Sequence, residues 1–123
     1  MAKPTEEHHR RIAEMTFSEL YPLYLAKVVR KNRTKEELHA VLNWLTGFSD
    51  EELQKQMDQG NTLATFFAES KFNPLSIHVK GVICGYRIEE LENGLTRQAR
   101  ILDKLVDELA KGRALDRVLR SGV

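Results

Sequence analysis

The chain has 123 residues, of which 41% are hydrophobic and 30% charged, and this size and composition are typical of one globular domain. Its 19 Lys and Arg residues against 18 Asp and Glu residues give a formal net charge of +1, which excludes recruitment of nucleic acid or an anionic membrane by overall charge. The single cysteine excludes an intramolecular disulfide. The polar start argues against a signal peptide, and the absence of a long apolar run argues against a membrane span. We therefore expect a cytoplasmic protein.

The N-terminal part of the chain is predicted to be a tail followed by a helix. Residues 1–11 are polar and are expected to form a flexible N-terminal tail, with a single helical domain over 12–123. The first helix is predicted to run from about Pro22 to Lys31, because proline is tolerated in a first helical turn. Apolar residues repeat around it at helical spacing: Tyr21, Tyr24, Leu25 and Val28.

Two capping boxes follow, at Thr34–Glu37 and Ser49–Glu52. In each box the first hydroxyl accepts a hydrogen bond from a backbone N–H in the first turn, while the Glu side chain reaches back to the cap's own N–H. Apolar residues at helical spacing come next, and each run is closed by a glycine. The segment 34–60 is therefore predicted to be an α-α hairpin with helices over about 35–46 and 50–59.

Three more helices are predicted downstream, over about 63–70, 95–111 and 114–120. The fold class that follows is all-α, a single-domain orthogonal bundle of about five to seven short helices. The segment 75–91 is the exception, because its β-branched residues favour a strand while its glycines weaken one. Since a lone strand has no partner elsewhere in the chain, we expect a short buried helix or an irregular apolar connection there.

Several motifs, taken together and in this order, resemble a family of small bacterial proteins catalogued as domain of unknown function 2200. The resemblance covers nearly the full chain and implies a compact, mostly helical bacterial protein, but it supplies no catalytic residue and no cofactor. The motifs are Tyr21-Pro22-Leu23-Tyr24, Arg33-Thr34-Lys35, Trp44-Leu45-Thr46-Gly47, Gly81-Val82-Ile83-Cys84-Gly85, Arg87-Ile88-Glu89-Glu90, Leu102-Asp103-Lys104-Leu105 and Glu108-Leu109-Ala110-Lys111-Gly112.

Cys84 is the first candidate for chemistry. It lies between two glycines and is followed by Arg87, a pattern that suits a thiolate stabilised by a cation. A free cysteine in an apolar run is more often a buried, inert core residue, and this is the outcome that we expect. If the chain has a pocket, its candidate lining is Tyr24, Lys27, Cys84, Arg87, Glu89 and Glu90.

A metal site is the second candidate, since Asp103 and Asp107 lie one turn apart on the long predicted helix. Pairs at i, i+4 explain this charge pattern as a solvated surface, with Lys104 beside Glu108 and Asp107 beside Lys111. The four histidines show no metal-ligand spacing. We therefore expect neither a metal nor a cofactor.

Nucleic acid is the third candidate partner, through a basic cluster at the end of the first helix. The short turn between the helices of the predicted hairpin resembles a helix-turn-helix, but the second helix begins with three acidic residues that would repel phosphates. Nucleic acid is therefore not the expected partner, although weak binding through the cluster remains an alternative. The cluster is Lys27, Arg30, Lys31, Arg33 and Lys35.

A partner surface is the fourth candidate, because the apolar stripe near the C-terminus is wide. Of the functions considered, we favour a non-catalytic module that interacts with another protein or with itself, for example as a homodimer. The alternative is a small enzyme or small-molecule binder that uses the segment around Cys84, Arg87 and Glu89, and no catalytic residue is assigned. The candidate interface is Leu105, Leu109, Leu115 and Leu119.

Overall fold

The computed structural model describes residues 3–120. Within this range the chain forms seven α-helices, two short 3-10 turns and one two-stranded antiparallel sheet, so the predicted all-α class is confirmed. The helices are α1 (Glu6–Glu14), α2 (Phe17–Arg30), α3 (Lys35–Thr46), α4 (Asp50–Asp58), α5 (Leu63–Glu69), α6 (Gly94–Ala110) and α7 (Leu115–Val118); the strands are β1 (Val82–Ile83) and β2 (Tyr86–Arg87); the 3-10 turns are Pro74–His78 and Ile88–Glu90.

Over residues 3–120 three capping boxes start helices, and two of them were predicted. Thr34 and Ser49 each accept from the backbone N–H three residues on, at 3.1 Å in both cases, which confirms the helical hairpin over 34–60. The third box joins Thr16 to Glu19 and starts α2 at Phe17. The prediction that this helix begins near Pro22 was therefore wrong, because Pro22 lies inside α2 and the cap lies further upstream.

The expected N-terminal tail is partly helical. Helix α1 begins at Glu6, where Thr5 caps it, and packs against α5 and α6. Only Ile12 of this helix is buried, so its apolar signal was too weak to be read from the sequence. A side-chain contact of 2.5 Å between His9 Nδ1 and Thr96 Oγ1 joins α1 to α6.

Helix α6 is the centre of the bundle and packs against α1, α2, α3, α5, α7 and β1. Leu105 and Leu109 on this helix have no exposed surface, whereas Leu115 and Leu119 are half-buried against the core. This differs from the expectation that all four form a contact between copies, because the wide stripe of α6 is covered by several neighbours of the same chain. Burial of each such leucine stabilises the fold by about 1.5–3 kcal/mol.

The segment 75–91 contains a β-hairpin rather than the expected buried helix or irregular connection. Val82 pairs with Arg87 and Ile83 with Tyr86, so the strand finds its partner three to five residues further along the same segment. The two residues between the strands, Cys84 and Gly85, have φ values of 53° and 83°, as a type I′ turn requires. Lys104 of α6 holds the hairpin by donating to the carbonyl oxygen of Val82 at 3.2 Å.

Within residues 3–120, none of the helices combines the length and the hydropathy that crossing a bilayer would require.

Candidate functional site

A cavity of about 500 Å³ lies where α1, α2 and α6 meet the β-hairpin. Its surface is mostly apolar, with polar and charged side chains among the apolar ones. Helices α1, α2 and α6 each line the cavity with one side, because most of their lining residues are three or four positions apart in the sequence. The lining is His8, Arg11, Ile12 and Met15 from α1, Leu20, Tyr24 and Lys27 from α2, Leu63 from α5, Ile83 and Cys84 from the hairpin, and Ala99, Arg100 and Asp103 from α6.

A chain of hydrogen bonds crosses this cavity from α2 to α1 by way of α6. The Tyr24 hydroxyl donates to Asp103 Oδ1, and Arg100 Nη1 donates to the other oxygen of the same carboxylate at 2.9 Å. Arg100 Nη2 then lies 2.9 Å from His8 Nε2. Both oxygens of Asp103 are therefore engaged by groups of the protein itself.

Burial, and then the negative charge of Asp103, raise the pKa of Tyr24 well above its ordinary value. Tyr24 therefore keeps its proton at neutral pH and serves as a hydrogen-bond donor.

His8 is held in its neutral form. Burial lowers the pKa of its imidazole, and the nearby charges of Arg100 and Arg11 lower it further. Because Arg100 can only donate, the Nε2 atom of His8 accepts and the ring proton lies on Nδ1. The ring also packs beside Tyr86, with centroids 5.6 Å apart, while the guanidinium of Arg100 lies 5.5 Å from the same tyrosine ring.

The remaining cations of the lining differ in how they are paired. Lys27 Nζ is 3.1 Å from Asp107 Oδ1, and Lys111 Nζ is 3.0 Å from the other oxygen of Asp107. Arg11 is exposed at the rim and has no side-chain hydrogen bond or ion pair with any residue over 3–120. The Nε atom of Arg100 is buried and likewise has no partner there.

Cys84 is exposed and lies at the edge of the cavity, so the expectation of a buried core thiol was wrong. The reason is the type I′ turn, which takes the side chain at its first position away from the core. Of the six residues proposed for a pocket, Tyr24, Lys27 and Cys84 lie on this lining, whereas Arg87, Glu89 and Glu90 do not.

Those three residues instead lie on the surface of the hairpin. Arg87 Nη1 is 3.9 Å from Glu89 Oε2, and Arg87 Nε is 3.9 Å from Glu90 Oε1. All three side chains are exposed. Glu89 Oε1 also accepts from the backbone N–H of Gly81 at 2.7 Å, and this hydrogen bond lowers the pKa of the Glu89 carboxyl. Their contacts fix the hairpin on which the Cys84 edge of the cavity is built.

The carboxylates of α6 are all engaged by cations. The predicted pair of Asp107 with Lys111 is confirmed, but that of Lys104 with Glu108 was wrong, because Glu108 is buried and binds Arg120 at 2.6 Å instead. Over residues 3–120 no group of three or more His, Cys, Asp or Glu side chains is placed to hold a metal ion.

A second, more polar hollow of about 470 Å³ lies over α3 and α4. In its wall His39 bridges two helices, with Nε2 2.5 Å from the hydroxyl of Tyr21 and Nδ1 2.9 Å from Asp50 Oδ1. Hydrogen bonds from His39 and Asn43 lower the pKa of Asp50. These contacts fasten α2, α3 and the start of α4 to each other.

The basic cluster at the end of α2 is partly neutralised. Lys27 pairs with Asp107, and Arg33 pairs with Glu37 at 2.6 Å while its Nη1 donates to the carbonyl oxygens of Leu109 and Arg113. Two of its five cations are thus committed to holding the fold.

Sequence reasoning missed His8, Arg11, Arg100 and Asp103 as lining residues. Their spacing gives no specific signal, since charged residues at helical spacing are typical of any solvated face. The contact between α1 and α6 is what brings them together.

Comparisons with known proteins were consistent with this fold. The family model described as an uncharacterized protein conserved in bacteria, DUF2200, matches residues 11–120. The crystal structure of uncharacterized protein SP1917 is similar to this chain, with 38% sequence identity and a TM-score of 0.84 over 91% of this chain and 93% of that one. No curated protein matches.

Proposed function

Starting from the fact that this chain belongs to the bacterial family DUF2200, we propose that it binds a small organic molecule in the cavity between α1, α2, α6 and the β-hairpin. One observation carries the proposal: a mostly apolar hollow of about 500 Å³ that holds a few fixed polar groups. Binding sites for small molecules usually have this composition and roughly 300–1,000 Å³ of volume.

The apolar part of the lining favours an occupant. Met15 is 39% exposed, and Leu20 and Ile83 are only half-buried. Protein interiors are normally packed to a high density, and apolar surface left in contact with water is unfavourable by about 25 cal/mol per Å². A ligand with an apolar body would cover these side chains and remove that surface from water.

The polar part of the lining is arranged in advance. Tyr24, Asp103 and Arg100 hold one another in place, and the helices that carry them pack directly against each other. Groups that are already fixed lose little conformational entropy when a ligand arrives. The arrangement therefore suits recognition of a defined ligand.

Binding is proposed rather than group transfer because of the geometry at Cys84. Activation of a thiol nucleophile by a general base needs that base within hydrogen-bond reach. Among the described residues, no hydrogen bond joins the Cys84 thiol to His8 or to any other group on the lining.

The test uses the neutral apolar dye N-phenylnaphthylamine, whose fluorescence rises in an apolar site. We expect saturable binding to the unchanged protein, loss of binding in Ala99→Leu, which fills the cavity from α6, and unchanged binding in Ala68→Leu, the same change at an exposed position. Alkylation of Cys84 by iodoacetamide, followed by mass spectrometry, gives a second readout because the chain has one cysteine.

Bound dye is expected to slow this alkylation. The proposal is overturned if the dye does not bind, or if Ala99→Leu, shown by its thermal transition to be folded, binds the dye as tightly as Ala68→Leu.

A further inference from the structure

We infer, on the basis of the proposed function, that the molecule bound in this cavity is an apolar compound with one anionic group, such as a medium-chain carboxylate, and that Arg11 and Arg100 receive that group. Two observations support this inference. The lining has hydrogen-bond donors without partners, and its carboxylate, Asp103, already binds Tyr24 and Arg100.

The lining carries more positive than negative charge. Its cations are Arg11, Lys27 and Arg100, and its carboxylate is Asp103. Asp107, which lies behind Lys27, neutralises that lysine. Asp103 pairs with Arg100 in the same way, so the uncompensated positive charge of the lining is that of Arg11 on α1.

The charge of the Asp103 carboxylate is already compensated within the protein. One oxygen accepts from Tyr24 and the other from Arg100, which forms an ion pair with it. A ligand ammonium group would therefore gain little attraction from Asp103 and would be repelled by Arg100 and Arg11. A cationic ligand is disfavoured on this ground.

Two arginines, by contrast, have unused hydrogen-bonding capacity. Arg11 lines the cavity, is exposed, and makes no side-chain hydrogen bond or ion pair within the described part of the chain. Arg100 has its Nη atoms engaged, but its Nε is buried without a partner. Guanidinium groups bind carboxylate oxygens in a two-pronged geometry, and such charge-assisted hydrogen bonds are stronger than neutral ones.

His8 fits the same assignment. Its Nε2 accepts from Arg100, so the N–H of its neutral ring lies on Nδ1. Over residues 3–120 no hydrogen bond occupies that Nδ1 atom. The neutral ring therefore keeps an N–H donor free and adds no competing positive charge to the lining.

The apolar body of the ligand is accommodated by the remaining walls. Ile12, Leu63 and Ala99 form the deep side, and Met15 and Ile83 lie nearer the opening. An anionic group at the arginines would therefore leave a hydrocarbon segment against these five side chains.

The test compares octanoate, octanol and octylamine, which share one hydrocarbon chain and differ in charge. Each is used near neutral pH to displace N-phenylnaphthylamine and to protect Cys84 from iodoacetamide. We expect octanoate to bind about tenfold more tightly than octylamine, with octanol between them.

A charge reversal on α1 supplies the matched pair of variants. Arg11→Glu should weaken octanoate about fivefold, strengthen octylamine and leave octanol unchanged. Arg10→Glu alters the same helix by the same charge at an exposed position that does not line the cavity, and it should leave the order of the three compounds unchanged.

The outcomes separate the two proposals. If the dye binds but octanoate binds no better than octylamine, or if Arg11→Glu and Arg10→Glu behave alike, the anionic class is overturned while the proposed function stands. If the dye itself does not bind, the proposed function fails and this inference fails with it.

Discussion

Glu108 and Arg120 form a buried, two-pronged ion pair that ties the end of the described chain to α6. Arg120 Nη1 is 2.6 Å from Glu108 Oε1, and Nη2 is 3.0 Å from Oε2. The two side chains are only 9% and 10% exposed. Arg113 adds a third contact to the same carboxylate at 3.0 Å.

Glu108→Gln should therefore destabilise the protein strongly. Removing one member of a buried pair leaves the other charge in the interior without compensation, which costs about 3–5 kcal/mol. Urea unfolding followed by circular dichroism measures this loss. Glu92→Gln, at an exposed position, is the control and should change the free energy of unfolding by less than about 0.5 kcal/mol. Equal effects of the two substitutions would contradict the role given to the buried pair.

Cys84→Asn should stabilise the hairpin. Cys84 adopts a φ of 53°, and the left-handed region is costly for most residues but well tolerated by asparagine. We expect a gain of about 0.5–1 kcal/mol in the free energy of unfolding. Cys84→Ala removes the thiol without relieving the backbone and should give no such gain. The explanation fails if the two variants are equally stable in thermal unfolding.

The tyrosine on the cavity wall should make the protein sensitive to alkaline pH. Burial, and then Asp103, hold the pKa of Tyr24 well above its ordinary value near 10. Above pH 10, Tyr24 loses its hydroxyl proton in the unfolded chain but keeps it in the folded chain. The free energy of unfolding therefore falls as the pH rises.

Tyr24→Phe should reduce this slope. The measurement is the difference in unfolding free energy between about pH 9 and about pH 11, which brackets the ordinary tyrosine pKa. The contribution of Tyr21, whose pKa burial also raises, remains in both proteins. Tyr86→Phe removes a hydroxyl from the ring beside Arg100 and serves as the comparison for the loss of a tyrosine hydroxyl as such. An unchanged slope in Tyr24→Phe would count against the buried, protonated hydroxyl.

The pKa of His8 should respond to Arg11. Burial, Arg100 and Arg11, in that order, lower the pKa of this imidazole below 6.5. In the window just below 6.5 the unfolded chain binds more protons than the folded chain, so stability is lost as the pH falls through it. Arg11→Gln should move the pKa back toward its ordinary value without restoring it fully.

An NMR titration of the His8 ring protons measures this shift. Arg10→Gln serves as the comparison, because that arginine is exposed and does not act on His8. If both substitutions moved the pKa by the same amount, Arg11 would not face the imidazole as described.

The helical hairpin over residues 34–60 is specified by local interactions. Thr34 and Ser49 satisfy backbone N–H groups within three residues of themselves, and Gly47 takes a φ of 74° at the end of α3. These interactions need no distant partner, so the sequence specifies them directly. The same local rule applies to the box at Thr16 and Glu19, which starts α2 upstream of Pro22.

The β-hairpin within residues 75–91 was not predicted from the sequence pattern. Strands were expected to need a partner elsewhere, but the turn at Cys84 and Gly85 folds the segment back on itself. Two-residue strands are too short to show an alternating pattern. Lys104, 22 residues beyond Val82, then fixes the hairpin against α6.

The sequence by itself determined helices α3 to α7, the capping boxes of the helical hairpin, the core stripe of α6 and membership of a bacterial family, because these depend on interactions between near neighbours or on the order of motifs. Only the tertiary structure decided which charged side chains form hydrogen bonds and ion pairs with each other. Asp103 meets Tyr24 across 79 positions and Arg100 meets His8 across 92, while Arg11 lies at the rim with no side-chain hydrogen bond or ion pair to residues 3–120. Contacts at such separations are set by how the helices cross, and one chain's residue spacing does not encode that crossing.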